Sequence, residues 1–126
     1  MSYLEEKSDV LNTAAALLHQ KGLYPVAAHP AYYSCLQLMK HIWLHSMEKT
    51  EQELTRQQSS HKLLIRSVGE MIKKSSVANF YVFRGNILKL KKLRTDADYS
   101  NMPFDVEKSA RALSLSRSII PILKNY

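Results

Sequence analysis

Apolar residues recur at three- and four-residue intervals along almost the whole chain, and no stretch alternates polar with β-branched positions, so the pattern predicts helices and no sheet. Five helices follow. The first spans about 3–21: Ser2 and Glu5 make a capping-box pattern, Leu4, Val10, Leu11, Ala14 and Leu18 form a stripe, and Gly22 stops it. The second runs near 26–47, after Tyr24-Pro25, with Pro30 in its first turn, where a missing N–H costs least. It carries one stripe of Tyr32, Leu36, Met39, Trp43 and Met47 and another of Cys35, Leu38 and Ile42, the signature of a central, buried helix. From Glu48 to Ser59 a single leucine stands among polar residues, which predicts a mobile loop or an exposed helical extension.

Ser59 or Ser60 can cap a third helix bearing Leu63, Leu64, Val68, Met71 and Ile72, fading at Lys74-Ser75-Ser76. A fourth runs from about Val77 to Asp96 on Phe80, Phe83, Ile87 and Leu90. Asp105 is the natural N-cap of a fifth, with Val106, Ala110, Leu113 and Ile120 on one stripe and Leu115, Ile119 and Ile122 beside it. The expected fold is all-α, a five-helix up-and-down bundle in one domain, 1–126.

Composition agrees with that picture: 126 residues, 45% hydrophobic and 23% charged with 3 Gly and 4 Pro, suit one globular core and no disordered tail. The lone Cys35 forms no internal disulfide, the N-terminus opens with acids where a signal peptide needs a basic start, and apolar runs are too short to span a bilayer. A cytoplasmic protein away from membranes is expected. Charge changes the picture more. Residues 1–63 hold 6 basic and 6 acidic groups, whereas 64–126 hold 12 and 5, so the whole excess of +7 lies in the second half. Arg84, Lys89, Lys91, Lys92 and Arg94 concentrate it, and a localised positive field suits an anionic partner such as RNA, a nucleotide or an acidic protein, although a solvated helix face has the same composition.

No glycine-rich phosphate loop, nucleophile elbow or cysteine pair is present, so no cofactor or catalytic residue is assigned. His41, His45 and Glu48 share a helix face at metal-ligand spacing, but Gln37 and Lys40 mark that face as solvated, and no metal site is expected there. Cys35 reads as a small buried hydrophobe. Arg94 stands out because it lies seven after Ile87 and four after Leu90, which extends an apolar stripe with a guanidinium. It must find a carboxylate, a carbonyl, a partner chain or a phosphate, because a buried unpaired charge is strongly unfavourable. Asp96, Asp98 and Tyr99 follow closely, and Arg94, Asp98 and Tyr99 are expected to form one cluster at an intersubunit or inter-helix cleft, with Lys91 and Lys92 facing water and any anion bound at the cluster.

Tyr32-Tyr33-Ser34 opening an apolar helix, Ser60-His61 starting the third, and Leu93-Arg94-Thr95-Asp96-Ala97-Asp98-Tyr99 before a capped C-terminal helix resemble a HEPN domain. The branch it is similar to ends its fourth helix in Arg-x-x-Ala-Asp-Tyr and includes partners of minimal nucleotidyltransferases. The resemblance implies a homodimer with the Arg segment lining a cleft, His61 at a recurrent position, and a separate nucleotidyltransferase chain as a possible partner. In ribonuclease members, among them toxins of toxin–antitoxin pairs, an Arg is followed after four to six residues by His. Here Tyr99 stands in that place. A phenol shuttles protons poorly at neutral pH beside an imidazole. The leading expectation is therefore a nucleotide- or RNA-associated binding module with Arg94, Asp96, Asp98, Tyr99 and His61 as candidate ligand residues. A metal-independent endoribonuclease using Arg94 and a purely structural dimerisation module are the alternatives.

Overall fold

A computed structural model of the chain describes residues 2–55 and 59–126. Its helices are α1 (Tyr3–Gln20), α2 (Ala28–His41), α3 (Glu51–Thr55), α4 (Ser60–Ser75), α5 (Val77–Tyr99) and α6 (Val106–Leu123), and no strand occurs among the described residues. The architecture is a helical bundle with α2 at its centre, packed against α1, α4, α5 and α6. No helix among the described residues is long and apolar enough to cross a membrane.

Side-chain caps set most of the starts. Ser2 and Glu5 close a capping box on α1, Ser76 accepts from the Asn79 N–H at the head of α5, and Asp105 accepts from the Lys108 N–H at the head of α6. Gly22 ends the first helical segment at a φ of 77°, a conformation that glycine adopts without steric cost. Ser59 occupies the N-cap position of α4 without a capping bond from its side chain.

Three segments depart from the periodicity. Tyr24–Val26 form a 3₁₀ turn, so α2 begins at Ala28, two residues later than the pattern suggested. Beyond His41 the helix widens into a π turn over Ile42–Ser46, and Glu48 then takes a left-handed φ of 52°. The polar stretch after it is ordered rather than loose through residue 55. Thr50 and Glu53 cap α3 reciprocally, its Leu54 is only 4% exposed, and the Trp43 indole donates to the Thr50 carbonyl at 2.8 Å. Residues 56–58 of the expected loop lie outside the described residues.

The core faces also shift from the expected stripes. On α1 the buried residues are the small Ser8 and Ala15, and Ser8 Oγ donates to the Ser34 carbonyl of α2 at 2.7 Å. Small residues let the two backbones approach, while Val10, expected on the inner stripe, faces outward at 67% exposure. On α6, Val106 and Ala110 face solvent, while Ser109, Ala112, Leu113, Ser116, Ile119 and Leu123 face inward. Tyr32, Trp43 and Phe83 are the largest wholly buried side chains, and each contributes on the order of 2 kcal/mol through removal of apolar surface from water. Cys35 is buried as expected, and burial pushes its thiol up to about 12, so it stays protonated.

Candidate nucleotide-binding cluster

The first turns of α2 carry His29, Tyr32 and Tyr33 at i, i+3 and i+4, and this spacing puts all three on one side of the helix. Opposite them stand His61 in the first turn of α4 and Arg94 and Asp98 on α5. Arg94 is the centre of the group. Its side chain is 13% exposed, and its guanidinium lies 5.4 Å from the ring of Tyr32 and 5.6 Å from that of Tyr33. Nη1 reaches the Asp98 carboxylate at 3.4 Å, whereas the buried Nε has no hydrogen-bond partner among the described residues. A bare buried donor costs about 1–3 kcal/mol. This donor is enclosed as well as unpaired.

The rings around the guanidinium hold it in place. His29 stacks on Tyr33 with centroids 4.4 Å apart and lies 3.7 Å from the same Asp98 oxygen that Arg94 uses. Tyr32 and Tyr33 meet edge to face at 5.4 Å, and the Tyr32 hydroxyl contacts His61 Nδ1 at 3.1 Å. Burial drives the Tyr32 phenol far above its ordinary range, so it keeps its proton. His61 Nδ1 is the one hydrogen-bond partner that this buried hydroxyl has among the described residues, and the phenol either donates to a bare Nδ1 or accepts from Nδ1–H of the neutral imidazole. Desolvation first, then the charges of Arg94 and Lys91, hold the His61 pKa below 6.5, which favours that neutral form.

Lys91 completes the electrostatics. It is half-buried rather than facing open water as expected, and its pKa is lowered by desolvation and by the neighbouring charges of Lys62 and Arg94. Arg94 and His29 meet the one carboxylate, Asp98, while Lys91 and His61 stand close to Arg94. Two cations against one acid leave the cluster an unbalanced positive field in partly desolvated surroundings, where an oxyanion is favoured and a metal cation is repelled. Among the described residues no group of three His, Cys, Asp or Glu side chains is placed to hold a metal.

Of the residues singled out from sequence, Arg94, Asp98 and His61 come together, His61 through Tyr32. Asp96 and Tyr99 do not join them. Asp96 pairs with Lys92 at 3.0 Å on the outer surface, and Tyr99 is 76% exposed. The reason is that α5 continues to Tyr99 instead of ending at Asp96. At about 100° per residue, Asp98 falls some 40° from Arg94, while Asp96 and Tyr99 fall about 160° and 140° away. His29, Tyr32, Tyr33 and Lys91 are the site residues that sequence reasoning missed. Tyr32 and Tyr33 had been assigned to an apolar stripe and a resemblance, and the i, i+3, i+4 spacing that includes His29 was the available signal.

His41, raised as a metal ligand, is used otherwise. Its Nδ1 is 2.8 Å from Ser2 Oγ and its Nε2 is 3.6 Å from Glu5, which binds the α1 capping box to the far end of α2, and the ring of His45 packs beside it. No family model matches this chain, and neither a curated protein nor a solved structure matches it.

Proposed function

We propose that the protein is a HEPN-like module that binds a nucleotide or RNA through a phosphate held at Arg94, and that it acts as a homodimer and as the partner of a separate nucleotidyltransferase. The observation that carries the ligand reading is the Arg94 guanidinium itself: held beside two tyrosine rings, bonded to one carboxylate by one arm, and close to the second cation Lys91. A planar cation held in this way suits the oxygens of a phosphate. The stacked His29–Tyr33 pair adds a flat surface for a base. Association with a second chain is supported by large apolar residues left in solvent, Tyr3, Val10 and Leu17 on α1 and Val77, Tyr81 and Val82 on α5, each at least 46% exposed.

Binding is favoured over cleavage by Tyr99, which stands where ribonuclease members carry His, is 76% exposed apart from the Arg94 cluster, and is a poor proton shuttle at neutral pH. Calorimetric titration with uridine monophosphate tests the reading. Measurable affinity in the wild type that disappears in Arg94→Ala is expected, and equal affinity in the two proteins would refute it. RNA cleavage by the wild type, lost in Arg94→Ala, would put the metal-independent endoribonuclease in its place.

A further inference from the structure

The positive charge around Arg94 continues past Lys91. Lys91 and Lys62 line a hollow of about 300 Å³ that opens beside His61, and the same two lysines form one end of a groove of about 320 Å³ between α4 and α5. Farther along, Arg66 from α4 and Arg84 from α5 flank that groove. Its floor is apolar, made by Ile65, Phe80 and Leu88. Phe80 lies close to α4 because Gly69 has no side chain; a Cβ there would stand 3.3 Å from the phenyl ring.

Among the described residues, Lys62, Arg66, Arg84 and Lys91 form no ion pair, and Glu70 is the one acid on the groove wall. Four cations on one groove repel one another; the pKa of Lys91 is lowered first by desolvation and then by the charges of Lys62 and Arg94. A polyanion relieves it. From Arg84 to Arg94 is ten residues of helix, or about 15 Å, more than one nucleotide covers.

We infer that the α4–α5 groove is a track for a single-stranded oligonucleotide that continues from the Arg94 site, with phosphates on Lys91, Lys62, Arg66 and Arg84 and an unstacked base on the Ile65–Phe80–Leu88 floor. The inference rests on the reading of Arg94 as a phosphate site and extends it from a mononucleotide to a polymer. Cationic walls over an apolar and aromatic floor are the arrangement that binds single strands without reading sequence. An acidic protein segment matches the charge as well, but His61 and Lys91, which belong both to the hollow and to the surroundings of Arg94 with its aromatic rings, favour the strand.

The experiment compares fluorescein-labelled octauridylate, octadeoxythymidylate and uridine monophosphate by anisotropy and calorimetry on the wild type, on Arg94→Ala, and on the triple variant Lys62→Gln, Arg66→Gln, Arg84→Gln. All three replaced side chains are exposed, so the fold is expected to survive, and thermal melting checks it. The track predicts that at least one octamer binds tenfold or more tighter than the mononucleotide. It predicts that the triple variant loses about that tenfold gain, with a salt slope shallower by about 2 from three phosphate contacts at about 0.7 each. Monophosphate binding, which loses only the neighbouring charge of Lys62, should fall far less than octamer binding in the triple variant. Octamers that bind no tighter than the mononucleotide, or equally to the triple variant, overturn the track while leaving the Arg94 reading standing. Loss of mononucleotide binding from no variant overturns the Arg94 reading itself. Displacement of the octamer by poly-L-glutamate at equal charge concentration would assign the groove to an acidic protein instead.

Discussion

Two histidine clusters occupy different regions of this bundle and make opposite use of similar side chains. At one, Ser2, Glu5, His41 and His45 bring a hydroxyl, a carboxylate and two imidazoles together; at the other, Tyr32, Asp98, His29 and His61 do the same around Arg94. The first is closed on itself: Ser2 caps α1, Glu5 returns to the Ser2 N–H, and His41 contacts both. The second carries Arg94 and Lys91 against one acid and leaves Arg94 Nε bare. Residue types do not separate a structural cluster from a binding one. The balance of charge does.

The largest difference should appear on replacing the centre of each cluster. Arg94→Ala is expected to weaken mononucleotide binding by about 10- to 100-fold, the equivalent of about 1.5–3 kcal/mol for hydrogen bonds to a charged group. His41→Ala should leave that affinity unchanged; calorimetry on the pair decides. A smaller effect, on stability alone, is expected at the closed cluster: Ser2→Ala removes the α1 cap and should cost about 1 kcal/mol in urea unfolding. Tyr32→Phe should cost a similar amount, about 1 kcal/mol, because it strips His61 Nδ1 of its hydrogen-bond partner, but this variant should also weaken ligand binding, which Ser2→Ala should not.

The smallest expected effect is on pH. The folded His61 pKa lies below 6.5, so the unfolded chain binds the proton more readily, and stability falls as pH drops from about 6.5 through the folded value. Above that window the contribution is fully present. Urea midpoints at pH 5.5 and 7.5 should therefore differ less in His61→Gln than in the wild type. A bound phosphate favours the protonated ring, so ligand affinity should rise over the same fall in pH.

Much of the fold was legible because caps are written in adjacent residues. Ser2 with Glu5 and Asp105 mark helix starts that the chain uses, and Ser76, read only as the end of the third helix, caps the next one as well. Thr50 with Glu53 is the same signal and marks α3, but with only Leu54 to bury, the helix is too short to show a periodicity. The π turn at Ile42–Ser46 has no local signature, and we have no physical account of why the helix widens there. The candidate site was legible at Arg94, where a charge interrupts an apolar stripe. Its surroundings were not, since Tyr32 meets His61 across 29 residues and Asp98 meets His29 across a helix–helix contact that spacing cannot encode. Ending the fourth helix three residues early placed Tyr99 in the cluster; continuing the same rotation to Tyr99 turns it outward.

The central claim is that one histidine cluster binds and the other holds the fold, and long-range proton–nitrogen NMR spectra of the five imidazoles, recorded while octauridylate is added, test it most directly. The account predicts that the ring signals of His29 and His61 shift in a saturable manner, with His61 moving toward the protonated form, while those of His41 and His45 stay in place. Shifts at His41 and His45 with His29 and His61 unmoved, or no shift at any of the four, would contradict it.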